Sequence, residues 1–123
     1  MRPMIAAAGL FALATVLLAA LPARAEYGAI AYDGKTGRSG WAVHEPSAPR
    51  AAEKAISECG GSDCKVVVKI GPRMCGALAR IEGQKHVGAA ERPDRDAARL
   101  AALNDCKKPN LGECVVKFNE CNR

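Results

Sequence analysis

The sequence predicts an α+β domain of two strand–strand–helix–strand halves, related by pseudo-twofold symmetry, with helices packed on antiparallel sheet and disulfides as staples. Three observations predict it. The chain repeats itself: Tyr27-Gly-Ala-Ile-Ala-Tyr32 reads like Cys75-Gly-Ala-Leu-Ala-Arg80, 48 residues on. Arg50-Ala-Ala-Glu-Lys-Ala-Ile-Ser-Glu-Cys59 reads like Ala97-Ala-Arg-Leu-Ala-Ala-Leu-Asn-Asp-Cys106, and Cys64-Lys-Val-Val-Val-Lys-Ile70 like Cys114-Val-Val-Lys-Phe118. Three matches in the same order mark a duplication. The second observation is a thin supply of core: residues 26–123 hold 15 Ala and only 20 large apolar side chains. The third is six cysteines, all in that same stretch. At 123 residues the chain has room for one domain. That excludes a barrel of eight βα units and argues against a full dinucleotide fold.

The first 25 residues read as a signal peptide. Arg2 is a short positive start, Met4 to Leu21 is uncharged and apolar, Pro22 breaks the run, and Ala23-Arg24-Ala25 is a small-x-small cleavage signature. Eighteen apolar residues could also just span a bilayer. The cleavage signature and the cysteines that follow favour removal after Ala25. No cysteine lies at the cleavage point for lipid attachment, and no second long apolar run follows, so no membrane span is expected after cleavage. The remaining 26–123 form a single domain, with repeats at about 27–70 and 75–121, exported to the periplasm or beyond the cell.

In the first copy, Gly28 to Tyr32 alternates small and larger apolar residues, as a strand does. Asp33-Gly-Lys-Thr-Gly37 is turn chemistry, and Gly40 to Val43 returns. Ser47 is an N-cap, and a helix covers Pro49 to Glu58. Ala52, Ala55, Ile56 and Cys59 fall on one face of it. Gly60-Gly61 stops the helix, and Cys64 to Ile70 is a β-branched strand. In the second copy, Gly76 to Ile81 and His86 to Ala90 are strands around the turn Glu82-Gly-Gln-Lys85. Asp94 caps a helix to Asp105, with Ala97, Leu100, Ala101 and Leu103 on or beside its apolar side. The Ala-rich helix faces imply close packing onto sheet.

Export favours disulfides, which small secreted domains use to supplement thin cores. Six cysteines permit 15 connectivities. The repeat narrows them. Cys59 ends one helix and Cys64 begins the next strand; Cys106 and Cys114 hold the corresponding places. Bridges Cys59–Cys64 and Cys106–Cys114 leave Cys75 to pair with Cys121. In the chain-entropy account the short loops contribute about 2 kcal/mol each and the long one about 4.

The series Tyr27-Gly-Ala-Ile-Ala-Tyr32, Thr36-Gly37, Gly40-Trp41, Ala51-Ala52-Glu53 leading to Cys59, Asp63-Cys64-Lys65-Val66-Val67-Val68 and Cys75-Gly76-Ala77-Leu78-Ala79 resembles the domain-of-unknown-function family 4189. The resemblance runs from about Glu26 to Asn122. It implies a small exported bacterial domain with a duplicated half and paired cysteines, and it carries no catalytic residue. It departs at Ala89, where the family often places an aromatic after the second-copy glycine.

No constellation specifies catalysis. Thiol redox chemistry wants Cys-x-x-Cys, which is absent. Cys59-x4-Cys64 could be half of a zinc site, but Cys106-x7-Cys114 is wide, and export favours bridges. Gly-Lys-Thr at 34–36 lacks the rest of a phosphate loop and joins two strands. No metal or cofactor is expected. A net charge of +5, or +3 once Arg2 and Arg24 leave, is spread without a basic block longer than Lys107-Lys108, so no nucleic-acid partner is expected. Tyr27, Tyr32 and Trp41 lie on the first hairpin, where they could form a stacking platform. The expectation is a non-catalytic binding or inhibitor-like module with an envelope protein or glycan as partner. The alternatives are a small envelope hydrolase using His44 and Glu45, or a structural envelope protein without a specific ligand. The oligomeric state stays open.

Overall fold

The computed structural model describes residue 9 and residues 24–123. Most of the expected signal peptide therefore lies outside the described residues. The element order is β1 (Tyr27–Tyr32), β2 (Ser39–Glu45), α1 (Ala48–Cys59), β3 (Lys65–Ile70), β4 (Cys75–Arg80), β5 (Val87–Arg92), α2 (Arg95–Lys107) and β6 (Val115–Cys121). Each half is a ββαβ unit. Its first strand is central in an antiparallel sheet, in the orders β2-β1-β3 and β5-β4-β6.

Local chemistry sets the boundaries. Asp33 accepts from Lys35 N at 2.8 Å and Thr36 N at 3.2 Å, and Gly37 takes a φ of 75°, so the first hairpin closes tightly. Ser47 Oγ accepts from Arg50 N, and Asp94 Oδ2 accepts from Ala97 N, both at 3.3 Å. Gly60, at φ 69°, ends α1 in the left-handed conformation and donates to Ile56 O.

The alternation of β1 and β4 decides the layers. Ala29 and Ala31 face α1, where Ala51, Ala55 and Cys59 meet them. Ala77 and Ala79 face Ala98, Ala102 and Cys106 of α2. On the other faces, Ile30, Tyr32, Val68, Ile70, Leu78 and Phe118 form one cluster drawn from both sheets. The expected antiparallel sheet is thus two three-stranded sheets face to face, each carrying its helix on the outside. Sequence periodicity shows faces but not which strands share a sheet.

The helix contact is very close. A Cβ at Gly40 would run into Cys59 N and Ala55 O, and one at Gly88 into Ala102 O and Cys106 N. Only small side chains fit at that distance. This corrects the expected helix faces: the buried stripes are Ala51, Ala55, Cys59 and Ala98, Ala102, Cys106. Ile56 is 42% exposed and Leu100 is 51% exposed, because bulky side chains are displaced to the flanks.

Three disulfides join Cys59–Cys64, Cys106–Cys114 and Cys75–Cys121. The first two tie a helix end to the approach of the following strand, and the third crosses directly between β4 and β6. Buried Asn122 then locks the halves together. Its Nδ2 donates to Ile70 O and Gly71 O, and its Oδ1 accepts from His44 N.

Candidate recognition groove

Trp41 sits on β2 opposite Ile30. Its ring centroid is 5.2 Å from that of Phe118 on β6, with the planes tilted by 38°. Phe118 is buried, whereas Trp41 keeps 46% of its surface in solvent. Beside it runs a groove of about 370 Å³, lined by Ser39, Gly40, Trp41, Ala42 and Val43 of β2 and by Lys54 and Glu58 of α1.

The floor of this groove is a sheet edge, since β2 is the outer strand of its sheet. Asp33 N donates to Arg38 O at 2.8 Å, which marks 33/38 as a hydrogen-bonded pair. The register continues as 32/39, 31/40, 30/41 and 29/42. Alternate pairs exchange bonds, so the backbone groups of Ser39 and Trp41 point away from β1, toward the open side.

The wall carries charge. Lys54 Nζ lies 3.0 Å from Glu45 Oε1, and this bond holds the Lys54 pKa above its ordinary value. Glu58 forms no ion pair among the described residues. Glu58 stands one helical turn from Lys54 and its charge also favours the protonated lysine, so the groove wall carries both signs, with Glu58 outside the close Lys54–Glu45 pair.

The three aromatics expected to share a platform do not. Tyr27 packs against the α1 layer. Tyr32 is buried between the sheets, its hydroxyl directed at Gln84 O at 3.4 Å and its ring 6.0 Å from the Arg80 guanidinium carbon. Period-two alternation sends Tyr27 and Tyr32 to opposite faces of β1. Trp41 alone remains available.

His44 and Glu45 are also not brought together. His44 has a φ of 61°, and its Nδ1 lies 2.6 Å from Glu26 Oε2. Glu45 turns to Lys54 instead. Around His44 stand Asp94, Arg95, Glu120, Cys121 and Arg123, a set with no hydroxyl or free thiol to act as a nucleophile. All six cysteines are bridged. The other histidine, His86, has Nε2 3.0 Å from Asp105 O and ties α2 to the residue just before β5.

Sequence reasoning missed Lys54, Glu58 and Asp105. The aligned ends Ser-Glu-Cys59 and Asn-Asp-Cys106 place an acid before each bridged cysteine. That was the available signal.

A family model described as "Domain of unknown function (DUF4189)" matches residues 27–121. Two curated relatives are "Uncharacterized protein Rv1813c" of Mycobacterium tuberculosis and "Uncharacterized protein Mb1843c" of Mycobacterium bovis. Each is 41% identical over 102 residues, covering 83% of this chain and 64% of the relative. The chain thus spans a little under two thirds of the length of the curated relatives it matches. The NMR structure of Rv1813c from Mycobacterium tuberculosis is similar to this fold, with a TM-score of 0.58 and 32% identity, covering 85% of this chain and 81% of that one.

Proposed function

The chain belongs to the DUF4189 family, and from that premise we propose that it is an exported binding module without catalysis, acting in the periplasm or outside the cell. The observation that carries this is Trp41. It is half in solvent and forms part of a groove walled by Lys54 and Glu58. Opposite Ile30, the indole lies on the face of β2 away from α1, and its exposed part supplies contact area next to the groove at low entropic cost.

The duplication supplies an internal comparison. The second copy has the corresponding groove, lined by Ala89, Ala90, Arg92, Ala101, Asn104, Asp105 and Lys108. Ala89 follows Gly88 as Trp41 follows Gly40. Alanine therefore suffices at this place in the second copy, whereas the indole of the first both packs on Phe118 and keeps 46% of its surface in solvent. Export is supported by the leader pattern of residues 1–25 and by the three disulfides, which persist in oxidising compartments. Among the described residues, no helix is long and apolar enough to cross a membrane.

The partner would be an envelope protein or glycan. The test is capture from envelope extract on immobilised oxidised protein, run in parallel with Trp41→Ala. A reproducible partner held by the wild type and lost by the variant is the expected result. An empty capture would favour a structural protein without a specific ligand. Turnover of cell-wall or peptide substrates abolished by His44→Ala would favour the hydrolase.

A further inference from the structure

The two copies differ at their outer edges. In the second, Ala89 N donates to Asp105 Oδ2 at 3.3 Å, so an outward-facing strand donor is closed by the chain's own helix. The corresponding donor in the first copy is Trp41 N, and the acid corresponding to Asp105 is Glu58. Among the described residues, no side chain accepts from Trp41 N. Asp105 is also paired with Lys108 at 3.2 Å, whereas Glu58 forms no such close pair among the described residues and meets Lys54 only at longer range.

Unpaired strand edges invite another strand, and proteins blunt them with charge or cover. β3 carries Lys65 and Lys69, β5 carries Glu91 and Arg92, and β6 carries Lys117 and Glu120. From Ser39 to Val43, β2 carries no charge at all. Before the register shifts beyond Ala42, its outward groups fall at Ser39 and Trp41, two residues apart, a spacing that another extended chain reproduces. These features accept a strand, and of the two charged residues that line the groove, Glu58 is the one without a close ion pair among the described residues.

We propose that the open edge of β2 receives an extended segment of a partner protein as a fourth strand, with a basic side chain of that segment set against Glu58. This deepens the binding-module reading and rests on it. Main-chain bonds to Ser39 and Trp41 would hold the segment, Trp41 would cover its side chains, and Glu58 would select the basic residue.

The test titrates a positional-scanning library of blocked hexapeptides into oxidised, ¹⁵N-labelled protein. Pools with Lys or Arg fixed at one position are expected to shift the amides of Ser39 and Trp41. They should bind about tenfold more tightly than pools with Asp or Glu at that position. Glu58→Gln, on the exposed side of α1, should keep the fold and erase that preference. Silence of these amides with every pool, or equal response to acidic and basic pools, would overturn the proposal. A β-1,4-linked N-acetylglucosamine tetramer serves as the glycan arm. If it moves the Trp41 indole while the peptides do nothing, strand addition falls and the binding module stands. If envelope capture is also empty, the module reading falls with it.

Discussion

Gly40 and Gly88 hold the same place in the two halves, and each lies directly under the backbone of its own helix. The contact sets the spacing of both helix–sheet layers and explains why the buried stripes are alanine and cysteine. A methyl group at either position cannot be absorbed by side-chain movement, because it meets backbone atoms. Gly40→Ala and Gly88→Ala should each cost about 3 kcal/mol, at the upper end of the range for overpacking. Denaturant midpoints at unchanged slope check this. A cost below about 0.5 kcal/mol at both would show that the helices are not so tightly seated.

The bridges should differ in worth. Cys75–Cys121 closes a loop with a sequence separation of 46, against 5 for Cys59–Cys64 and 8 for Cys106–Cys114. Replacing Cys75 and Cys121 by Ala should cost about 4 kcal/mol, and replacing either other pair about 2. Urea unfolding of the three double variants gives the ranking. Intact mass with alkylation should show no reactive thiol before reduction and six after.

The duplication, the hairpins, both N-caps and the disulfide pairing could be read from local residues and their repeat. The placement of Ile56, Leu100 and Tyr32 could not. Helical periodicity locates an apolar face but assumes that bulky residues occupy it. Here the glycine contacts invert that preference, so Ile56 and Leu100 sit at the margin. Tyr32 reads with Trp41 as part of a hairpin platform, and only the second sheet closing over it makes it core. Trp41 was legible as a candidate, but the walls of its groove were not. They come from α1 and gain meaning only once α1 docks beside the open edge.

Asp33 should make stability fall in acid. Burial pushes its pKa up, but the backbone N–H groups of Lys35, Thr36 and Asp63 donate to the carboxylate and outweigh that, leaving the pKa below the ordinary value. The folded state therefore favours the ionised form. That contribution is fully present above the unfolded pKa, about 3.9, and is lost as pH falls through the lower folded value. Asp33→Asn should be less stable at neutral pH and show a shallower loss between about pH 5 and 2. Thermal unfolding across that range reads the effect, and parallel profiles for the two proteins would remove Asp33 from the account.

Trp41→Ala should fold. Alanine stands at the corresponding place in the second copy, and the loss is limited to the half-buried indole and its contact with Phe118. A cost of about 1–2 kcal/mol is expected, with an unchanged fold by circular dichroism. Loss of folding would mean that Trp41 is core, and it would withdraw the groove as a recognition site.

The asymmetry between the two edges is the basis of the functional reading, and amide hydrogen exchange of the oxidised, ligand-free protein tests it most directly. Among the described residues Trp41 N has no acceptor while Ala89 N is bonded to Asp105, so the Trp41 amide should exchange at least about tenfold faster, after correction for intrinsic rates. Equal protection of the two amides, or slower exchange at Trp41, would show that the first edge is already closed and would contradict the account.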